Sequence, residues 1–200
     1  VGTDPVPPWV IEHAPNLLEK SSSESTGSGI DHLLLDRQEH LLQGQTYTHN
    51  CYRLVNQEGV ANFADIVVRH NPAYQELSYH FIRLHRDGQV IDKLADHEIH
   101  SYQREQQMEW GLYDGSITSV VNVRDVRPGD CLEYAYTRTG VNPLLVGHVA
   151  LGFNQCSDSP IQDLYFRAIV DPALRVYEHD ENAAEPTRLG MISYAVFCLK

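Results

Sequence analysis

The chain is short of positive charge. Its 200 residues carry 15 Lys and Arg against 27 Asp and Glu, a formal net charge of −12. Neutralisation of phosphates by Lys and Arg supplies nearly all non-specific nucleic-acid affinity. With no basic cluster in the sequence, neither nucleic acid nor an anionic membrane surface is an expected partner. No apolar run approaches the roughly 18 residues of a membrane-spanning helix, so membrane insertion by this chain is not expected. The opening VGTDPVPPWV has neither the basic region nor the apolar core of a secretory signal. Cysteine is sparse: Cys51, Cys131, Cys156 and Cys198 lie far apart with no C-x-x-C, which removes zinc-ribbon and thioredoxin-like readings. An even count permits disulfides and leaves their pattern open. Most of the four fall in or at the end of expected strands, where a cysteine usually serves as a small buried hydrophobe. A glycine-rich phosphate loop is also missing, since GTDPVP and GSG lack both the spacing and the strand–helix context.

What remains is a succession of strand signals behind an unusual N-terminus. The segment VGTDPVPPWVIE holds Pro5, Pro7, Pro8 and Trp9. Proline removes backbone donors and favours extended backbone, so an extended arm is expected, with Trp9 docking on the body. A short helix is expected over 12–20, and the composition KSSSESTGSG over 20–29 reads as a flexible linker. Residues 1–29 are thus arm and linker, and 30–200 form one domain. Strand patterns cover 30–40, 45–55, 59–70, 75–85, 89–91, 117–123, 131–137, 147–153, 163–170 and 189–199. Asp87-Gly88 marks a tight hairpin, and the interval 92–114 favours helix or an irregular crossover. In the stretch 117–138 two alternating runs flank Arg127-Pro128-Gly129-Asp130. Proline and glycine there suit the central positions of a turn, and a β-hairpin is expected. The regular amphipathic helices of a parallel sheet are lacking. The expected fold is all-β, an antiparallel β-sandwich of roughly nine strands with an extended Pro-rich arm.

No complete chemical site is legible. Eleven histidines make accidental clusters inevitable. In Asp96-His97-Glu98-Ile99-His100 the histidines are three apart with the glutamate between them, which is not H-E-x-x-H, and no third zinc ligand is identifiable. His80 and His85, five apart, point to opposite faces of a regular strand and need a bulge to share an ion. The chain order Cys131, His148, Asp171 matches that of transglutaminase-like and papain-like cysteine hydrolases. A catalytic thiol, however, is activated at a helix N-terminus or by a nearby cation. Cys131 instead opens a strand directly after Asp130. This triad is therefore the alternative reading, and no catalytic, metal or cofactor-binding residue is assigned. Tyr134, Tyr136 and Tyr165 either line a surface or pack against a sheet.

The stretches LDRQEH (35–40), YRLVNQEGV (52–60), NPAYQELSYHFIRLHRDGQV (71–90), LYDG (112–115), VRDVRPGDCLEYAYTRTGVNP (123–143) and RAIVDPALRVY (167–177) occur in order along the chain. Together they resemble an uncharacterised bacterial domain that precedes a transglutaminase-like domain of the cysteine protease superfamily. The resemblance implies a β-sandwich accessory domain of the periplasm or cell envelope, with the catalytic domain beyond residue 200. A complete strand pattern without a reactive centre makes the leading expectation a non-catalytic module with no cofactor, which binds a peptide, glycan or partner protein or buttresses the neighbouring domain.

Overall fold

In the computed structural model the described residues are 1–18, 29–95, 100–102, 115–145, 149–153, 161–171, 176–180 and 195–199. Among the described residues thirteen strands run in chain order as β1 (Gly2–Thr3), β2 (Ile30–His40), β3 (Gln45–Leu54), β4 (Asp65–His70), β5 (Glu76–Arg86), β6 (Gln89–Asp92), β7 (His100–Tyr102), β8 (Ile117–Asn122), β9 (Cys131–Thr139), β10 (Val149–Phe153), β11 (Ile161–Ile169), β12 (Val176–Asp180) and β13 (Ala195–Leu199). Among the described residues one α-helix, α1 (Gln57–Phe63), lies between β3 and β4. The fold is all-β, as expected.

The large sheet has the order β1-β5-β9-β3-β2-β11, with β6 attached to β5, and smaller sheets are β4-β8-β7 and β10-β13-β12. The large sheet is not wholly antiparallel: β11 pairs with β2, and β1 with β5, in parallel. Strand alternation gives the large sheet two different faces. On one, Tyr52, Leu54, Leu77, Tyr79, Ile82, Leu84 and Leu132 meet Ile66, Val68, Val121 and Val123 of the β4-β8 pair in the main apolar core. Tyr134 and Tyr136 pack against this core, with their rings stacked at 6.4 Å. The opposite face carries the polar side chains Asp36, Gln38, His49, Glu133 and Thr137 beside a small apolar cluster that includes Leu34, Cys51 and Cys131. This polar face lies beneath the N-terminal arm, whose Leu17 packs on that cluster.

Three expectations are corrected. The run 117–123 and the run 131–137 do not pair with each other. β8 pairs with β4 and β7, whereas β9 lies between β3 and β5 in the large sheet. The Arg127–Asp130 turn does form, with Gly129 at φ 95° and Asp130 N–H donating to Arg127 O at 3.1 Å. Its backbone is bonded to β3, however: Gly129 N–H donates to Leu54 O, and Leu54 N–H to Asp130 O. Turn chemistry thus fixes a bend but not the strand that follows. Arg86 holds this bridge between sheets by donating to both Asp130 oxygens, at 2.9 and 2.7 Å, and to Asp125.

The second correction concerns 59–70, which begins as α1 before turning into β4. Asn56 caps α1, its side chain accepting from Gly59 N–H at 2.9 Å, the usual role of asparagine at a helix start. Gly59 also lies so close to Gly29 O that a Cβ would sit 1.9 Å from it. Third, the expected helix over 12–20 is absent from its described part: residues 12–16 are irregular and 17–18 form a turn. The interval 92–114 contributes the strand β7. The hairpin at Asp87-Gly88 joins β5 to β6, both residues having positive φ as the two-residue turn requires. The expected linker over 20–29 lies outside the described residues except for Gly29. Among the described residues, no helix is long and apolar enough to cross a membrane.

Candidate functional site

Period-two geometry places every second residue of β2, β3, β9 and β5 on the polar face. Leu34, Asp36 and Gln38 of β2 stand opposite Cys51, His49 and Tyr47 of β3. Cys51 stands opposite Glu133 of β9, which in turn faces Arg83 of β5. A bulge in β5 between Tyr79 and Phe81 then changes the expected placement of His80. His80 and His85 both face the arm, which corrects the opposite-face reading. Five residues along a strand still separate them by roughly 15 Å, and each has its own partners. His80 is bonded to Asp4 O and to the Thr137 hydroxyl at 2.8 and 2.7 Å, while burial lowers its pKa.

Glu133 is the centre of the face and is only 4% exposed. His49 Nε2 donates to its Oε1 at 2.9 Å, and His85 Nε2 to its Oε2 at 2.6 Å. Burial alone would raise the Glu133 carboxyl, but the two histidine hydrogen bonds outweigh it and hold its pKa at about 2. Arg83 lies 3.9 Å from Oε1 and stacks over the Phe81 ring at 4.0 Å. The cluster lines a cavity of about 340 Å³, and a neighbouring one of about 610 Å³ reaches Arg53, Val90 and Cys131; Pro15 and Leu17 of the arm border both.

The arm crosses this face. It starts as β1 beside β5, where Asp4 N–H donates to Tyr79 O. From Trp9 it runs antiparallel along β2, and each two-residue step is matched by two residues back. Trp9 packs edge-on against His40, Ile11 N–H and O are both bonded to the Gln38 amide at 3.0 and 2.6 Å, and His13 donates to Asp36 at 3.0 Å. Trp9 Nε1 donates to Gln45, Arg167 donates to Trp9 O, and Arg53 to Leu17 O. His13 also stacks on Tyr165 at 3.8 Å. Trp9 therefore docks on the body as its sequence indicated.

The cysteine-hydrolase alternative does not assemble over its described members. Cys131 opens β9 beside Arg53, whereas Asp171 follows β11 beyond Ile169, at the Thr139 end of the sheet. The length of β9 alone puts roughly 25 Å between them, and His148 lies outside the described residues. Burial pushes the Cys131 thiol up, an effect that nearby Arg53 opposes and Asp130 reinforces. Cys51 is likewise buried and raised. Cys156 lies outside the described residues, and Cys198 is described only as part of the β13 backbone. Of the Asp96–His100 run only the His100 backbone, in β7, is described. Among the described residues, no group of three or more ligand side chains could hold a metal ion.

Sequence reading passed over Glu133, His49 and Gln38. The available signal was a glutamate on the Cys131, Ala135 and Thr137 face of a strand, where a solvated charge is out of place.

The family model for DUF3857, a domain of unknown function with a solved structure, matches residues 42–194. The chain belongs to this family. No curated protein matches this DUF3857 chain. Among solved structures, a protein from Parabacteroides distasonis described as "a putative protease" matches with a TM-score of 0.62 and 12% identity over 86% of this chain. The DUF3857 chain covers 40% of that protein's length, and at this identity the likeness is one of fold.

Proposed function

We propose that this DUF3857 chain is a non-catalytic accessory module of a larger bacterial envelope protein. It recognises an extended peptide or supports a neighbouring transglutaminase-like domain. The observation that carries this reading is the state of the acid–base groups on the polar face. Both oxygens of Glu133 are taken by His49 and His85, and the Cys131 thiol is buried and raised. Catalysis needs such groups poised toward a substrate, and here Glu133 and its histidines tie β3, β5 and β9 together beneath the arm. The partial coverage of a protease-like structure supports a setting beside a hydrolase domain. A periplasmic location and a glycan or protein ligand belong to the same reading, which requires no cofactor.

The test is to assay the chain against amidase, protease and transglutaminase substrates. No turnover is expected. Turnover that disappears in Cys131→Ala would overturn the accessory reading in favour of a cysteine enzyme.

A further inference from the structure

The polar face treats the arm as a receptor treats a peptide. Strands usually recognise strands edge to edge through backbone ladders. Here an extended segment instead lies across the face of the sheet and is read by side chains. Gln38 satisfies both backbone groups of Ile11, Arg167 takes the Trp9 carbonyl, Arg53 the Leu17 carbonyl, and His80 the Asp4 carbonyl. Backbone groups are common to every peptide, so these contacts alone carry little sequence information. Specificity lies in the Trp9 seat, where the indole meets His40 and donates to Gln45. It lies also in the Gln38 clamp, which needs a free N–H two residues after the tryptophan and so excludes proline there.

The clamp is closed over by the arm itself. With the arm in place Gln38 is 1% exposed and Asp36 fully buried, and the Gln38 amide is also held by Asp36, so the receptor side of the clamp is positioned by the sheet and is uncovered when the arm leaves. The two cavities on either side of Pro15 and Leu17 show that the arm covers this face without filling it.

We propose that the polar face of the large sheet, from His40 and Arg167 across Gln38 to Arg53, is a peptide-binding surface that the chain's own residues 4–17 occupy as an intramolecular ligand. Its partner is an extended segment of another protein with the pattern Trp-x-(not Pro), which displaces the arm. This deepens the recognition reading above and rests on it. A tethered arm competes at an effective concentration on the order of millimolar, so a free peptide binds well only when the arm is weakened.

The experiment uses the full 200-residue chain and a fluorescein-labelled peptide of residues 1–18, read by anisotropy. The arm is loosened by combining Trp9→Ala with Ile11→Pro, and its release is followed by hydrogen exchange at 4–17. The loosened chain is expected to bind the probe at least about tenfold more tightly than the unaltered chain. Adding Gln38→Ala or Arg167→Ala should abolish the gain. Faster exchange at 4–17 without probe binding overturns the peptide-binding surface and leaves the accessory reading standing. Unchanged exchange also overturns it, because these contacts would then not hold the arm. Turnover in the substrate assays tells against the accessory reading alone.

Discussion

Replacing Glu133 by glutamine keeps the shape of the side chain and removes its charge. The ordinary glutamate value is 4.5, and the folded value is about 2. A depressed folded pKa means that the stabilisation is fully present above 4.5 and is lost as pH falls through 2. At neutral pH the ionised carboxylate is then worth about 3 kcal/mol. Glutamine retains one acceptor oxygen, and its amide N–H would oppose the N–H of the second histidine. The expected loss for Glu133→Gln is therefore about 2–4 kcal/mol at pH 7. In a domain of this size that lowers Tm by roughly 4–16 °C. Urea unfolding followed by fluorescence at pH 7 and pH 3 reads both the size and the sign. The gap between parent and variant should shrink by more than half at pH 3, where much of the carboxylate's advantage has gone. A loss below about 1 kcal/mol at pH 7, or a gap that does not narrow at pH 3, would refute the assignment of Glu133 as an ionised strand tie.

Gly59→Ala should cost about 3 kcal/mol in urea unfolding, because the added carbon meets the backbone oxygen of Gly29 at 1.9 Å; an unaffected midpoint would mean that helix and strand can separate freely. Asp130→Asn, which breaks the buried pair with Arg86, should cost about 1–3 kcal/mol in thermal melts at neutral pH, and a change within error would show that the turn holds without it. Cys51 and Cys131 should stay unlabelled by iodoacetamide in the native protein and react once it is unfolded in urea, as mapped by peptide mass; rapid native labelling of Cys131 would contradict its burial.

Strands proved legible because alternation is written locally. The patterns over 30–40, 75–85 and 163–170 correspond to β2, β5 and β11, and the Asp87-Gly88 turn lies where its residues require. Pairing was not legible, because it depends on partners distant in sequence. Nothing local in Ile117–Asn122 separates a neighbour of β9 from a member of another sheet. Helix α1 was missed because its seven residues, QEGVANF, are too few for a helical period to emerge. The candidate face was hidden for a related reason. His49, Glu133 and His85 come from three strands, and only the register joins them. A bulge at His80 then reverses the face that simple counting assigns, and no residue type in the stretch announces it.

The contact between Arg167 and the Trp9 carbonyl spans 158 residues, and Gln38 and Arg167 meet across 129. Translation delivers the arm well before its edge-strand partner, at about 5–20 residues per second. Sheets assembled from such remote segments fold slowly, because loop closure precedes any reward from contact. For roughly 8–30 s of each synthesis, the Trp9 carbonyl has no Arg167 to receive it. During that interval the nascent protein carries a proline-rich, tryptophan-bearing segment with part of its seat unbuilt, open to whatever else binds extended chains.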